Sequence, residues 1–415
     1  MRRDFRVLLV LPLVLAGCFK SPAAPESPTV QTVPQLQPDR IVIIDDPAVL
    51  ESRVSWTSVP LFVENKEAPG HELAPEKVQR TDLTLVGEVS SPEVDGYIVQ
   101  ANDIDIQGAR ALVAFNYAGE VFAGAVQVLD FTNAQQPRVL GEILYRNADV
   151  TAVCFQGDAI YVGMGSNDPV LTSGAMLEEF QLSNDRLESS GRWLDLPSNV
   201  VTDLGSHGGR LVASVGAADG GIAVIDQSDL SVQSWHPEED VRSFDFVASE
   251  QVVAVCGTVP RMGSMMLPSL SGQMASIDGF TNPAAKGTVE VQNGLCWLGS
   301  GDGGFQVRDA AGALVARLQN REFSEVRPEL MVANAVTLSG NRAYVAAGAL
   351  GVQVVDVTSV INGRQDPTMQ PMGELMFPLG MSSNMVKVRG NIMIAAAGTG
   401  GVKLVHVRNL GGDDD

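Results

Sequence analysis

Apolar and polar positions in this chain fall in short alternating runs rather than at helical spacing. From about residue 81 onward, runs rich in Val, Ile, Ala and Tyr are punctuated by Gly, Asn and Asp. That pattern predicts short strands joined by tight turns. The clearest unit is Gly351-Val-Gln-Val-Val-Asp356-Val. It recurs as Gly124-Ala-Val-Gln-Val-Leu-Asp130, Gly221-Ile-Ala-Val-Ile-Asp226 and Gly304-Phe-Gln-Val-Arg-Asp309, with a worn copy at Gly401-Val-Lys-Leu-Val-His406. Asp309 and Asp356 lie 47 positions apart, and Asp356 and His406 lie 50 apart. Asp130 and Asp226 are 96 apart, two units of 48, with a degenerate copy between them at 177–182. Asp226 and Asp309 are 83 apart, which leaves room for one poorer copy. Such a period, built from short strands, predicts propeller blades.

Each unit carries an upstream hairpin. Leu338-Ser-Gly-Asn-Arg-Ala-Tyr-Val-Ala-Ala-Gly348 has relatives starting at Phe155 and Val388, and its Gly-Asn or Gly-Asp dipeptide marks a two-residue turn. An outer-strand signature, Leu140-Gly-Glu142 and Met372-Gly-Glu374, recurs as Val86-Gly-Glu88 ahead of the first unit. The last unit has no outer strand of its own, so the segment 83–89 is expected to supply it, closing the ring and covering a sheet edge. Innermost strands are expected near 103, 151, 201, 243, 288, 335 and 385. The fold class is therefore all-β, a propeller of about seven four-stranded blades. Residues 258–285 leave two choices for a third strand, one at Met262–Leu267 and one at Met274–Asp278.

The pairing of Ala-Tyr-Val-Ala-Ala-Gly with Gly-Val-Gln-Val-Val-Asp-Val resembles the LVIVD-repeat family of bacterial and archaeal β-propellers. The resemblance covers most of 98–408 and is strongest in the first and sixth units. It implies a propeller in an extracytoplasmic setting and no particular activity.

The amino terminus has a different grammar. Met1-Arg-Arg-Asp-Phe-Arg6 is a charged leader, and an apolar run from Val7 to Ala16 ends at Gly17 and Cys18. The run is shorter than the ~20 residues a membrane-spanning helix needs. It reads as a signal peptide, 1–17. Leu15-Ala-Gly-Cys18 resembles the bacterial lipobox, which implies cleavage between Gly17 and Cys18 and lipidation of the Cys18 sulfur. Phe19 in place of an aspartate favours an outer-membrane destination. Residues 18–40, rich in Pro, Ser, Ala and Gln, read as a flexible tether. Residues 41–80 read as an extension lying against the body, 81–410 as the propeller and 411–415 as an acidic tail. On this reading about sixty-five residues separate the lipid from the ring.

Charge narrows the partners. The chain carries a formal charge of −21. Removing 1–17 takes three arginines and one aspartate, leaving −21 − 2 = −23. A nucleic-acid partner is excluded, since phosphate contacts need Lys and Arg. Cys154, Cys256 and Cys296 are an odd set in apolar runs, matching neither a disulfide framework nor a zinc site and expected as buried thiols. The strand-end aspartates Asp130, Asp226, Asp309 and Asp356 are placed to accept turn amides. A second set (Asp103, Asp105, Asp149, Asp203, Asp240, Asp245 and Glu290) falls on or beside innermost strands. Of these, Asp103, Asp203 and Asp245 are candidate Ca²⁺ ligands at the channel, because Ca²⁺ takes oxygen donors. His71, His207, His236 and His406 have no metal spacing and no adjacent nucleophile. No catalytic residue and no organic cofactor is assigned.

The sequence therefore leads to a membrane-anchored, non-enzymatic interaction or scaffold module of the cell envelope, held by lipid and meeting another envelope protein or a surface polymer. Two alternatives stand beside it: a Ca²⁺-assisted hydrolase or lactonase, and a glycan- or ion-binding adhesin.

Overall fold

In a computed structural model, residues 35–61 and 81–409 are described, except 281, 283, 284, 325 and 379. Each repeat is an antiparallel meander whose strands pair in chain order, and seven such blades follow one another. The innermost strands are Gln100–Gln107, Ala148–Gln156, Val201–His207, Val241–Ala248, Thr288–Gln292, Ala335–Ser339 and Met385–Arg389. These are the positions expected from the repeat. The hairpin after the innermost strand turns on a glycine in the first, second, third, sixth and seventh blades, Gly208 having φ of 59° in the third. Gly108, Gly157, Gly340 and Gly390 have φ of 64°, 61°, 59° and 58°, where any side chain would be strained.

Both faces of a blade pack on neighbours, so second and third strands are apolar nearly throughout. Arg110–Asn116 and Gly124–Asp130 are buried except at their ends. The core is correspondingly a series of layers between blades. One unites the first and second blades around Tyr145, Phe180 and Met164. Another joins the fifth and sixth around Trp297 and Phe305, with the Trp297 indole donating to the Gln292 carbonyl at 3.0 Å.

The fourth blade resolves the ambiguous segment. Arg261–Met266 is its third strand, and Ser271–Gly272 and Ala275–Ser276 are two fragments of the fourth. Met274–Asp278 is thus split between the outer edge and the link to the next blade, because the Ser-Gly-Gln run offers little to pack.

The ring closes as expected from the Gly-Glu signature: Thr81–Val89 pairs antiparallel with Val402–Asn409, the third strand of the seventh blade. The extension contributes two further strands. Ile41–Ile44 pairs with the outer strand of the first blade, and Val54–Leu61 pairs with Thr81–Val89. A one-and-a-half-turn helix between them, Pro47–Ser52, is capped by Asp46, whose carboxylate accepts from Ala48 N at 2.9 Å. Docking begins inside the stretch read as tether. Leu36 packs on the layer between the first and second blades, and Gln37 N donates to Asp168 at 3.0 Å. Arg40, polar enough to pass for a tether residue, is 6 % exposed and forms a two-pronged pair with Glu178 of the second blade. Residues 1–34, 62–80 and 410–415, with Cys18, His71 and the acidic tail, lie outside the described residues.

Candidate functional site: the channel

An innermost strand has a pairing partner on one side only. Half of its N–H groups face the channel and need another acceptor. The sequence supplies one by placing carboxylates on the innermost strand of the preceding blade. Asp103 accepts from Val153 N at 3.1 Å, and Asp105 from Phe155 N at 2.7 Å. Asp203 accepts from Phe244 N at 3.2 Å and from the Ser243 hydroxyl at 2.6 Å. Asp245 accepts from Val291 N at 2.6 Å, and Glu290 from Leu338 N at 3.2 Å. Each carboxylate therefore stitches its blade to the next.

A bulge adds a second stitch. Register shifts occur at equivalent points in the first four innermost strands, at Asn102, Thr151, Thr202 and Arg242. The extra residue turns its side chain sideways. Asn102 donates to the Val150 carbonyl at 2.8 Å, Thr202 to that of Val241 at 2.7 Å, and Arg242 to that of Ala285 at 2.8 Å. Thr151 likewise donates to Val201 O.

Two lysines absent from the sequence-derived set cross the channel. Lys286, just ahead of the fifth blade, donates to Asn102 O and to Asp103 in the first blade, each at 2.8 Å. Lys387 of the seventh blade donates to Glu290 of the fifth at 3.0 Å. In sequence, Lys387 is visible only as a polar position in Met385–Arg389, and Lys286 sits in a loop. Asp103, Asp105, Asp203, Asp245 and the two lysines, with Gln107, Cys154, Phe246 and Met385 among others, line a cavity of about 360 Å³.

Electrostatics follow from that placement. Burial, and then the neighbouring Asp103, push Asp203 up to about 7. Burial also raises Asp105 and Asp245 above the usual carboxylate range. Burial alone would pull Lys387 down. Glu290, Asp245 and Asp105 outweigh it and hold the ammonium above the ordinary lysine value. Outside the cavity, burial lifts Asp149 to about 6 while it accepts from Tyr117 N and Ala123 N. Asp240 grips Arg242 and Thr258.

The structure thus places Asp103, Asp203 and Asp245 on one cavity, each turned to the backbone of the following blade. Among the described residues, no three His, Cys, Asp or Glu side chains form a group suited to a metal ion. The His207 ring centroid lies 5.3 Å from that of Phe246, and His406, half-buried on the strand Val402–Asn409, meets Asn391 of the adjoining turn at 2.8 Å. The strand-end aspartates do what their position suggests. Asp130, Asp226, Asp309 and Asp356 accept from the amides of Thr132, Ser228, Ala311 and Thr358, two residues on. Cys154, Cys256 and Cys296 are free and buried, and burial pushes the latter two thiols to about 12, far from a reactive thiolate.

No family model matches the chain, and no curated protein matches it. Solved structures similar to it include a β-propeller domain. The structure titled U3-55K aligns with a TM-score of 0.56 at 11% identity, over 75% of this chain and 96% of that one. A putative 6-phosphogluconolactonase from Bacteroides uniformis gives 0.56 at 11%, over 73% and 93%. The WD40 propeller domain of Doa1 gives 0.51 at 12%, over 78% and 96%. At such identities the likeness establishes the fold alone: this chain is a seven-bladed β-propeller.

Proposed function

We propose that the chain is a lipid-anchored, extracytoplasmic propeller of the outer membrane that works as a non-enzymatic interaction module. The observation that carries this reading is the commitment of the channel carboxylates. Asp103, Asp105, Asp203, Asp245 and Glu290 are bonded to neighbouring blades, and two of them also hold lysines. A general base or a Ca²⁺ ligand needs lone pairs aimed at substrate or ion, whereas at least one oxygen of each of these carboxylates is turned to the neighbouring blade. The repeat's resemblance to the LVIVD family and the lipobox-like Leu15–Cys18 support an envelope setting. No helix of the described residues is long and apolar enough to cross a membrane, and the anchor assigned is the lipid on Cys18.

Two measurements test this. Labelled fatty acid should enter the wild-type protein and not Cys18→Ser, which should leave the membrane fraction. Gentle crosslinking of the native lipidated protein should yield a stoichiometric envelope partner. A Cys18→Ser variant still labelled and membrane-bound, or a protein reproducibly recovered alone, would overturn the corresponding half.

A further inference from the structure

Resting on the reading of the chain as an interaction module, the geometry points to its docking surface: the rim of the first blade at the end where its innermost strand begins, built to take a basic segment of a partner protein. Three pieces meet there. The link into the first innermost strand forms a small hairpin, Glu93–Val94 paired with Tyr97–Ile98 across Asp95-Gly96. The loop 117–123 leaves the same end of the blade, since Gln100 pairs with Asn116. Tyr97 and Tyr117 join the two, with ring centroids 4.8 Å apart.

The site is built rather than slack. Asp149 fixes both ends of the loop by accepting from Tyr117 N and Ala123 N. The Tyr117 ring lies so close over Gly119 that an added Cβ would collide with it. On this base stand exposed apolar groups, Ile98 at 53 % and Val121 at 41 %. Large apolar side chains exposed beside an aromatic pair mark contact surfaces better than single ones do.

Charge selects the occupant. Glu93 and Asp95 of the hairpin and Glu120 of the loop are exposed. Asp95 meets Arg146 at 3.4 Å, both groups being about half exposed and the pair correspondingly weak. A two-fold contact with a second copy would set these acids against each other, and an anionic lipid surface would repel them. A segment carrying Lys or Arg beside apolar residues satisfies both halves of the patch.

The test uses the full-length lipidated protein in its own cells, with a photo-crosslinking amino acid at Ile98 or Val121, and at Glu250 or Asn341 on the opposite rim. Crosslinks from Ile98 and Val121 into a basic segment of another protein are expected. With purified protein, binding of a nona-arginine peptide should weaken about tenfold in Glu93→Gln/Asp95→Asn/Glu120→Gln and fade at high salt. The variant should melt with the wild type, and Glu250→Gln should bind normally. Crosslinks from the opposite rim only would overturn this surface and leave the interaction reading standing. Crosslinks from Ile98 or Val121 to lipid or to a second copy would overturn the occupant. Crosslinks from no position would overturn surface and reading together. Peptide binding unchanged in the triple variant would overturn the charge argument.

Discussion

At the seam within the seventh blade that closes the ring, eight residue pairs join Thr81–Val89 to Val402–Asn409. A fifth strand covers each of the two adjoining sheets, and two arginines of the extension pair with glutamates of the first and second blades. At the outer edge of the fourth blade, two exposed dipeptides pair with Arg261–Met266. The difference follows from chain connectivity. The fourth blade is covalently continuous with the third and fifth, so its outer edge can fray without opening the ring. The seam joins segments more than three hundred residues apart in sequence. Its loop-closure cost is the largest in the ring, and any fraying there separates the sheets.

Deleting the strap, residues 36–61, should therefore have the largest effect. It removes two strands, the Leu50 contact with the core and both arginine pairs. We expect melting to fall by ~10 °C or more, with aggregation through the uncovered edges. Scanning calorimetry on the truncated and full bodies measures it. A melting point unchanged by the deletion would show that Thr81–Val89 alone secures the ring.

Within the strap, Arg40→Ala should cost about 3–5 kcal/mol, because among the described residues it leaves Glu178 buried with the Tyr145 hydroxyl as its remaining side-chain partner. Arg40→Met with Glu178→Leu should recover most of that loss, since the desolvation penalty leaves with the charges. The counterpart in the fourth blade, Arg261 with Glu238, is more exposed on the arginine side. Arg261→Ala should cost under about 1 kcal/mol. Urea denaturation of the three variants decides between them, and equal losses at Arg40 and Arg261 would erase the distinction between seam and edge.

The channel makes a prediction about pH that the seam does not. Asp203 titrates near 7 and Asp149 near 6 in the folded chain, above the ordinary 3.8. The folded state binds these protons more tightly, so their contribution to stability is complete at low pH and is lost as pH rises through 6 and 7. The melting temperature should thus fall between pH 5 and pH 8, and Asp203→Asn should flatten the slope. The opposite tendency comes from Asp130, which Arg138 and Thr132 hold low against the opposing effect of burial. It acts only below the ordinary carboxylate range. A slope unchanged in Asp203→Asn would mean the proton resides elsewhere.

Where sequence and structure agree, and where they part, is physical rather than accidental. The blade pattern was legible because burial on both faces imposes apolar runs of fixed length, and tight hairpins demand Gly-Asn or Gly-Asp. The closing strand was legible because Gly87 and Glu88 repeat the outer-strand grammar of Gly141 and Glu142. The strap was only partly legible. Arg40 and Arg53 become recognisable as staples only when Glu178 and Glu142 stand beside them, more than eighty residues away in sequence. The channel carboxylates were legible as a set, but their use was not. Alternation shows only that they lie on innermost strands, not at one equivalent position in every blade: Asp103 lies one residue past its bulge and Asp245 three past. It does not show that the neighbouring strand presents an unpaired N–H to each, nor that lysines from the fifth and seventh blades reach across. The patch at Tyr97 and Tyr117 gave no periodic signal, because it arises from two loops that only the ring brings together.

The smallest expected effect lies at the fourth blade's outer edge and bears most directly on why it is so slight. Ser271 and Ser276 are exposed, and their partners Met266 and Arg261 already have full pairing on the other side with Gln251 and Cys256. Replacing both serines with lysine buries no charge and removes no core contact. It adds cations to a strongly acidic surface, and lysine is a common guard against edge-to-edge pairing. Stability should change by less than about 0.5 kcal/mol, while association at high concentration, followed by light scattering, should decrease or stay the same. A loss of several kcal/mol would mean that these fragments hold the blade as firmly as Thr81–Val89 holds the seam. In that case the ring would be fastened evenly around its circumference rather than at the one place where its chain begins and ends.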